Sequence, residues 1–155
     1  MREIKTWVSV LLLALGILLF TGFKQPPVRS AAGSSNLEGL TRYIAQLKSG
    51  SAQQKAEAAY KLGQQHSSAA PAVQPLVNLL GDTTEVNAAA YRRTTREHRP
   101  TLGEEVAVAL VHIGRPAVEP LIQVLKTSPS PEARKNAAWA LGALHDTGAV
   151  DNPSA

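Results

Sequence analysis

Two stretches of the chain repeat the same order of apolar and polar positions. Residues 72–80 read AVQPLVNLL and residues 117–125 read AVEPLIQVL. In each copy, apolar residues at positions i, i+3, i+4 and i+7 mark one face of an α-helix. These residues are Val73, Leu76, Val77 and Leu80 in the first copy, and Val118, Leu121, Ile122 and Leu125 in the second. The repeated pattern predicts two equivalent helices.

A second kind of helix ends with a bulky apolar residue followed by glycine. This ending occurs three times, as EAAYKLG at residues 57–63, VALVHIG at 108–114 and NAAWALG at 136–142. Small residues lie four or five places before each glycine, and they allow a neighbouring helix to approach closely. We therefore expect these second helices to stack on one another.

Helix start signals in the sequence indicate where the other helices of the folded part begin. Capping-box patterns open helical runs at Ser35, Ser51 and Thr101, and Ser130 is followed by a proline and a glutamate that suit a first turn. Another helix carries Leu37, Leu40, Ile44 and Leu47 on one face. The signals predict six helices in three antiparallel pairs, at residues 36–48, 52–65, 70–80, 102–113, 116–126 and 131–145.

The predicted fourth helix is apolar on nearly every side, with Val106, Leu110 and Ile113 among valines and alanines. A helix that is apolar all round is buried all round, as expected of the middle layer of a stack. The other helices carry polar faces, which fits units that contact only their neighbours. We predict an all-α fold: a short α-solenoid of about three stacked helix pairs at residues 36–146, followed by a flexible tail at 147–155.

Composition narrows the candidate chemistry. The chain has no cysteine, which excludes disulfides, thiolate metal sites and a thiol nucleophile. The four histidines form no metal-binding pattern on a helix face, and the sequence has no nucleophile elbow or glycine-rich phosphate loop. Capping and the helix dipole explain Glu104 and Glu105, and core packing explains Trp139. The sequence predicts no catalytic residue, no metal, no cofactor and no small-molecule substrate.

The N-terminus has the pattern of an export segment. Residues 6–23 are uncharged and are bracketed by basic residues. As a helix they would span roughly 27 Å, close to the hydrocarbon thickness of a bilayer. We interpret residues 1–24 as a signal peptide or transmembrane anchor, and 25–35 as a linker. The helical domain is then extracytoplasmic and anchored through the N-terminal helix, or released by cleavage near Ala32.

An insertion at residues 82–101 interrupts the second helix pair, where a short turn would suffice. Its arginines suit bidentate binding of phosphate or carboxylate groups, and a tyrosine lies beside them. The candidate partner-binding residues are Tyr91, Arg92, Arg93, Arg96 and Arg99. The alternative is a solvated loop whose charges keep it soluble. Long connections inside compact repeats are often functional or mobile.

With these residues the chain resembles a HEAT-repeat protein, specifically the short bacterial HEAT-like form also found in phycobilisome lyase subunits. The resemblance covers about residues 37–146 and is most specific at NAAWALG. The family usually has an Asp between the paired helices and an Arg early in the second helix. Arg134 occupies the Arg position of the third unit, whereas Thr127 and Ser128 stand where the Asp would be. The resemblance implies a curved surface lined largely by the second helices.

These features predict a non-catalytic protein-interaction module that is exported across the membrane and tethered to it. Its partner is another protein, bound through the repeat surface, with the arginine-rich insertion as an added contact. One alternative, implied by the phycobilisome relatives, is an accessory subunit of a lyase or chromophore-handling enzyme. The others are binding of anionic lipid or of nucleic acid through the arginine-rich insertion, and export argues against nucleic acid.

Overall fold

The computed structural model describes residues 31–93 and 99–148, and its compact helical unit begins at Ser35. Six α-helices lie within these residues. They are α1 (Ala31–Ser49), α2 (Ala52–Gly63), α3 (Val73–Val77), α4 (Leu102–Ile113), α5 (Val118–Thr127) and α6 (Pro131–Asp146). Short 3-10 segments lie at His66–Ala72, Ala88–Ala90 and Arg115–Ala117. The predicted all-α fold is confirmed for the described residues.

Three of the predicted helix starts are confirmed by their hydrogen bonds. The Ser51 hydroxyl accepts a hydrogen bond from the Gln54 N–H at 3.3 Å, and Gln54 Oε1 accepts one from the Ser51 N–H at 2.9 Å. Thr101 and Glu104 form the same capping box at the start of α4. Ser130 caps α6 with a proline at the first turn. Each cap satisfies backbone donors that a helix leaves unpaired at its N-terminus.

The first helix begins earlier than predicted. α1 already includes Ala31, the first described residue, so the expected N-cap at Ser35 is wrong, because Ser35 lies inside the helix. Alanine is the strongest helix former, and the pair at residues 31–32 favours extension of the helix toward the N-terminus. The last five residues of the predicted linker, 31–35, are therefore helical.

The second helices stack side by side as predicted. α4 packs against α2 on one side and against α6 on the other. At the contact between α2 and α4, a Cβ on Gly63 would lie 3.2 Å from the Ala109 Cα, so the glycine allows the close approach. Eight of the twelve residues of α4 are buried, Val106, Leu110 and Ile113 among them. One side of the helix is not covered, because Glu104, Val108 and Val111 are half-buried and His112 is exposed, so the predicted burial on nearly every side is wrong for that side. α4 is the central helix of the core.

The repeated nonapeptides supply the outer helices of the second and third layers. α3 contacts α4 and α5, and α5 packs on α6. Leu76 of α3 and Leu121 of α5 are completely buried, which confirms that both copies place the same stripe inside. α3 is shorter than the predicted helix at 70–80. Pro71 and Pro75 each lack a backbone N–H, and the residues before α3 form a 3-10 segment instead.

The first helix packs through part of its predicted apolar face. Leu47 is buried, and Leu40 and Ile44 are half-buried against the core. Leu37 is 65% exposed, so its predicted burial is wrong. It lines a surface groove together with Gln64 and Gln65, which follow the last residue of α2.

None of the helices within residues 31–93 and 99–148 is long and apolar enough to span a lipid bilayer. The segment interpreted as a signal peptide or anchor, residues 1–24, lies outside the described part of the chain. Export and membrane tethering therefore stay predictions.

Candidate interaction surface

A short antiparallel contact joins the two ends of the insertion at residues 82–101. Glu85 forms an isolated β-bridge with Thr101, the residue that caps α4. The Val86 N–H donates a hydrogen bond to the Pro100 carbonyl oxygen at 2.9 Å, and both residues are buried. The two ends of the insertion are thus held together at the start of α4.

A second attachment joins the insertion to α2. The Gln53 side chain donates a hydrogen bond to the Asn87 carbonyl oxygen at 3.0 Å and accepts one from the Asn87 N–H at 2.8 Å. The next residue, Ala88, is buried at the start of a 3-10 segment. Side-chain amides that satisfy both backbone groups of a loop residue fix the path of that loop.

The third attachment is the carboxylate of Glu105 in α4, which is 3% exposed. Its Oε2 accepts hydrogen bonds from the Tyr91 hydroxyl at 2.9 Å and from Arg92 Nε at 3.1 Å. Its Oε1 lies 2.5 Å from Arg92 Nη2. The Tyr91 ring also packs on the Tyr60 ring of α2, with centroids 5.6 Å apart. The insertion therefore connects the first and second layers.

The contacts with Glu105 affect the pKa of both Tyr91 and Arg92, and both values are raised. Burial, reinforced by the charge of the Glu105 carboxylate, raises the pKa of Tyr91 well above its ordinary value. Hydrogen bonding to Glu105 raises the pKa of Arg92. At neutral pH, Tyr91 is thus a neutral donor and Arg92 a cation, and together they satisfy a carboxylate whose burial alone would be unfavourable.

The structure divides the five predicted partner-binding residues. Tyr91 and Arg92 are half-buried, and their polar atoms point to Glu105. Arg93 and Arg99 are exposed. Arg96 lies outside the described residues. The binding role of the set stays a prediction, and the exposed arginines are its best-placed members.

The ion pair with Arg92 is a feature that sequence reasoning missed. Helix capping accounts for Glu104 in the structure, but Glu105 is turned into the crevice beside α2. A carboxylate within a helix that is apolar on nearly every side requires a partner. The arginine-rich insertion is the nearest segment that could supply a cation. A glutamate within an apolar helix, together with an arginine-rich segment just before that helix, is the signal that could have identified the pair.

The exposed sides of α2, α4 and α6 lie side by side, and we call them the second-helix face. Its residues include Tyr60, Glu104, Val108, Val111, Lys135 and Trp139. The pKa of Lys135 is raised chiefly by its ion pair with Glu132 and also by Glu104 across the contact between α4 and α6. Trp139 lies one turn beyond Lys135, and Val108 lies one turn beyond Glu104. The tryptophan and the valine are therefore at the same level of the face.

Trp139 is 50% exposed, so the expectation that it packs in the core is wrong. The buried stripe of α6 consists of Ala133, Asn136, Ala137, Ala140 and Leu144. Trp139 falls beside this stripe, on the same side of the helix as Lys135. The insertion covers the part of the second-helix face between α2 and α4. The part between α4 and α6 carries the half-exposed Trp139, and within the described residues we call it the open part.

Two of the histidines that looked scattered along the sequence meet in the structure. His66 Nδ1 lies 3.1 Å from the carbonyl oxygen of His112, and the two rings approach edge to face. This contact joins the segment after α2 to the end of α4. Within the described residues, no three side chains of the metal-binding types come together.

Arg134 makes a contact that bears on the HEAT-like pattern. Its guanidinium donates a hydrogen bond to the carbonyl oxygen of Ser128 at 2.7 Å. Ser128 lies in the turn between α5 and α6, where the family usually has an Asp. The arginine therefore stabilises the turn through the backbone, without a carboxylate partner from that position.

Comparison with known families finds a match in the last part of the helical unit. Residues 104–144 match the family model of the Armadillo/beta-catenin-like repeat. The segment contains most of α4, all of α5 and most of α6, and such repeats are about 40–47 residues long. No curated protein and no solved structure matches the chain. The narrower resemblance to phycobilisome lyase subunits stays a prediction. Together, the match and the helical architecture support a protein of helical repeats whose residues 104–144 are similar to an Armadillo repeat.

Proposed function

We propose that the chain is a non-catalytic protein-interaction module that binds a protein partner through the second-helix face. The similarity of residues 104–144 to an Armadillo repeat supports a role in protein interaction. We assign binding to this face because Trp139, a large aromatic residue within the matched segment, is half exposed there. Tryptophan is enriched among the residues that dominate binding energy at protein interfaces.

The open part of the second-helix face has the composition of a small interface. Val108 and Val111 are half-buried and offer an apolar floor between α4 and α6. Glu104 and Lys135 supply charges of both signs at one end. An apolar centre with a polar margin is the usual anatomy of a protein interface. The small number of layers suits a contact of modest area and affinity.

The insertion contributes to binding through its exposed arginines. Arg92 neutralises Glu105, which leaves Arg93 directly after it at the surface. Arg99 is exposed just before the bridge that closes the insertion. Because the insertion is fixed at three places, these cations are held near α2 and α4 without a large loss of conformational entropy on binding. They suit acidic groups on the partner, adjacent to its main contact.

Export and tethering are the other half of this proposed function, and they rest on the sequence of residues 1–24. An uncharged segment of that length, with basic residues before it, favours an anchored domain on the far side of the membrane. Confinement near a membrane raises the effective concentration of a partner held in the same membrane. A weak contact through a small repeat surface then suffices.

Site-specific photo-crosslinking in native membranes tests the proposed function. A photoreactive residue at position 139 lies on the second-helix face, and one at position 74, an exposed glutamine of α3, lies off it. We expect position 139 to give a discrete protein adduct that position 74 does not give. Equal adducts from both positions, or none from either, would contradict the assignment of the face. Fractionation of the labelled chain checks tethering separately.

A further inference from the structure

The two nonapeptide repeats differ in how well their equivalent residues are covered. In α3, and in the turn directly after it, Val73, Val77 and Leu80 are 4%, 8% and 0% exposed. Their equivalents in α5 and the third layer are Val118, Ile122 and Leu125. The first two are half-buried, and Leu125 is 41% exposed. The same motif is therefore covered in the second layer and open in the third.

The open residues share one side of α5. Val118, Ile122 and Leu125 are spaced by four and three residues, the spacing of a coiled-coil seam. Pro120, Val124 and Thr127 line the groove toward α3. At 100° per residue, the seam lies opposite this groove, on the side of α5 that points away from the second layer. We call Val118, Ile122 and Leu125 the end stripe.

Charges beside the end stripe indicate what covers it. Glu119 and Lys126 are both exposed and are seven residues apart, so they lie on the same side of α5 at its two ends. If two α5 helices pair antiparallel about a two-fold axis near Ile122, each Glu119 meets the Lys126 of the other copy. Val118 of each copy then packs near Leu125 of the other. In a parallel pairing, the flanks that carry Glu119 and Lys126 would lie on opposite sides of the contact, so these charges would not meet.

From this complementarity, we propose that the end stripe is the contact of a symmetric homodimer in which α5 packs antiparallel on α5 of a second copy. A two-fold contact of this kind closes on itself and forms no filament. A contact of such small area predicts a weak, reversible dimer. The end stripe is distinct from the second-helix face, so the dimer and the protein-binding function can fail independently.

Cysteine crosslinking tests the geometry, because the natural chain has no cysteine. In the full-length chain, Ile122→Cys places a thiol near the two-fold axis, where a disulfide between copies has feasible geometry. Gln123→Cys is the matched control, since Gln123 is exposed and lines the groove on the other side of α5. We expect Ile122→Cys to form a covalent dimer at least tenfold faster than Gln123→Cys under mild oxidation. Equal rates would overturn the proposal.

Charge exchange tests the antiparallel register by sedimentation equilibrium of the full-length chain in detergent. Glu119→Lys and Lys126→Glu are each expected to weaken the dimer about tenfold, and the double variant to restore it. The double variant places a lysine in the first turn of α5 and a glutamate in the last turn, and both charges then oppose the helix dipole. Restored dimerisation in this variant therefore cannot come from a more stable helix. A monomer at all concentrations, assemblies larger than a dimer, or no rescue in the double variant would overturn the proposal.

Discussion

Arg92 and Glu105 form an ion pair that joins the insertion to the central helix of the stack. The Arg92 Nη2 atom lies 2.5 Å from Glu105 Oε1, and the carboxylate is almost completely buried. The insertion therefore has a structural role in addition to any role in binding. It closes the crevice between the first and second layers at the level where Tyr91 packs on Tyr60.

Removal of the buried carboxylate is expected to destabilise the fold. Glu105→Ala leaves Arg92 and Tyr91 without their acceptor, and breaking a buried pair from one side typically costs about 3–5 kcal/mol. Arg92 keeps some contact with solvent, so we expect about 2–4 kcal/mol, measured as a fall in the free energy of unfolding in urea. Glu57→Ala, at an exposed position of α2, is the control and should change stability by less than about 0.5 kcal/mol. Equal effects of the two variants would contradict a structural role for the pair.

The raised pKa of Tyr91 predicts a loss of stability in alkali. A phenol whose pKa is higher in the folded state stabilises the fold fully below its unfolded pKa of about 10. This contribution disappears as the pH rises from there through the folded pKa. Ultraviolet titration of tyrosinate should show one of the three tyrosines ionising later than the others. The late phase should vanish in Tyr91→Phe and persist in Tyr43→Phe. A late phase in Tyr91→Phe would contradict the assignment.

Helix boundaries and the buried stripe of the repeats could be predicted because they depend on local patterns. The capping box at Thr101 and the continuous apolar run after it define α4 with the bounds found in the structure. Leu76 and Leu121 are buried because the 3.6-residue period places them on the inner face. These features require only residues that are close together in the sequence.

Features that depend on which layer covers which residue could not be predicted in the same way. Trp139 and Leu37 have the spacing of core residues, but both lie where the neighbouring helix does not cover them. The pairing of Arg92 with Glu105 requires the insertion to fold back across α4. The number of residues between Arg92 and Glu105 does not determine whether the insertion folds back across α4. Burial at the margins of a stack is a tertiary property.

Two glycines in helices give a matched pair of substitutions with opposite expected effects. A Cβ on Gly103 would overlap the carbonyl oxygen of Leu80 and lie 2.7 Å from Asn136 Nδ2. The Asn136 side chain donates to that same carbonyl at 2.8 Å, so Gly103→Ala disturbs the contact between the second and third layers. We expect a loss of about 1–3 kcal/mol.

Gly142 is the control for this substitution, because a Cβ there meets nothing within 4 Å. Gly142→Ala should stabilise the fold by about 0.5–1 kcal/mol through helix propensity. Thermal and urea unfolding of both variants check the pair. Stabilisation by Gly103→Ala would show that the close approach of the Leu80 carbonyl to α4 is absent.

Because Trp139 is half exposed, its removal should cost less folding stability than the removal of a core residue. Leu121→Ala removes a completely buried side chain and should cost about 2–5 kcal/mol. Trp139→Ala removes a half-exposed ring, and we expect a smaller loss of about 1–2 kcal/mol. Urea unfolding of the two variants gives the comparison. A larger loss for Trp139→Ala would place the tryptophan in the core.

Titration of the captured partner against purified variants of the full-length chain measures how much the second-helix face contributes to binding. Trp139→Ala changes the second-helix face, and Gln74→Ala changes an exposed residue of α3 off that face. We expect at least a tenfold increase in Kd for Trp139→Ala and less than a twofold change for Gln74→Ala, with both variants folded. Unchanged affinity in Trp139→Ala would contradict the second-helix face as the binding surface.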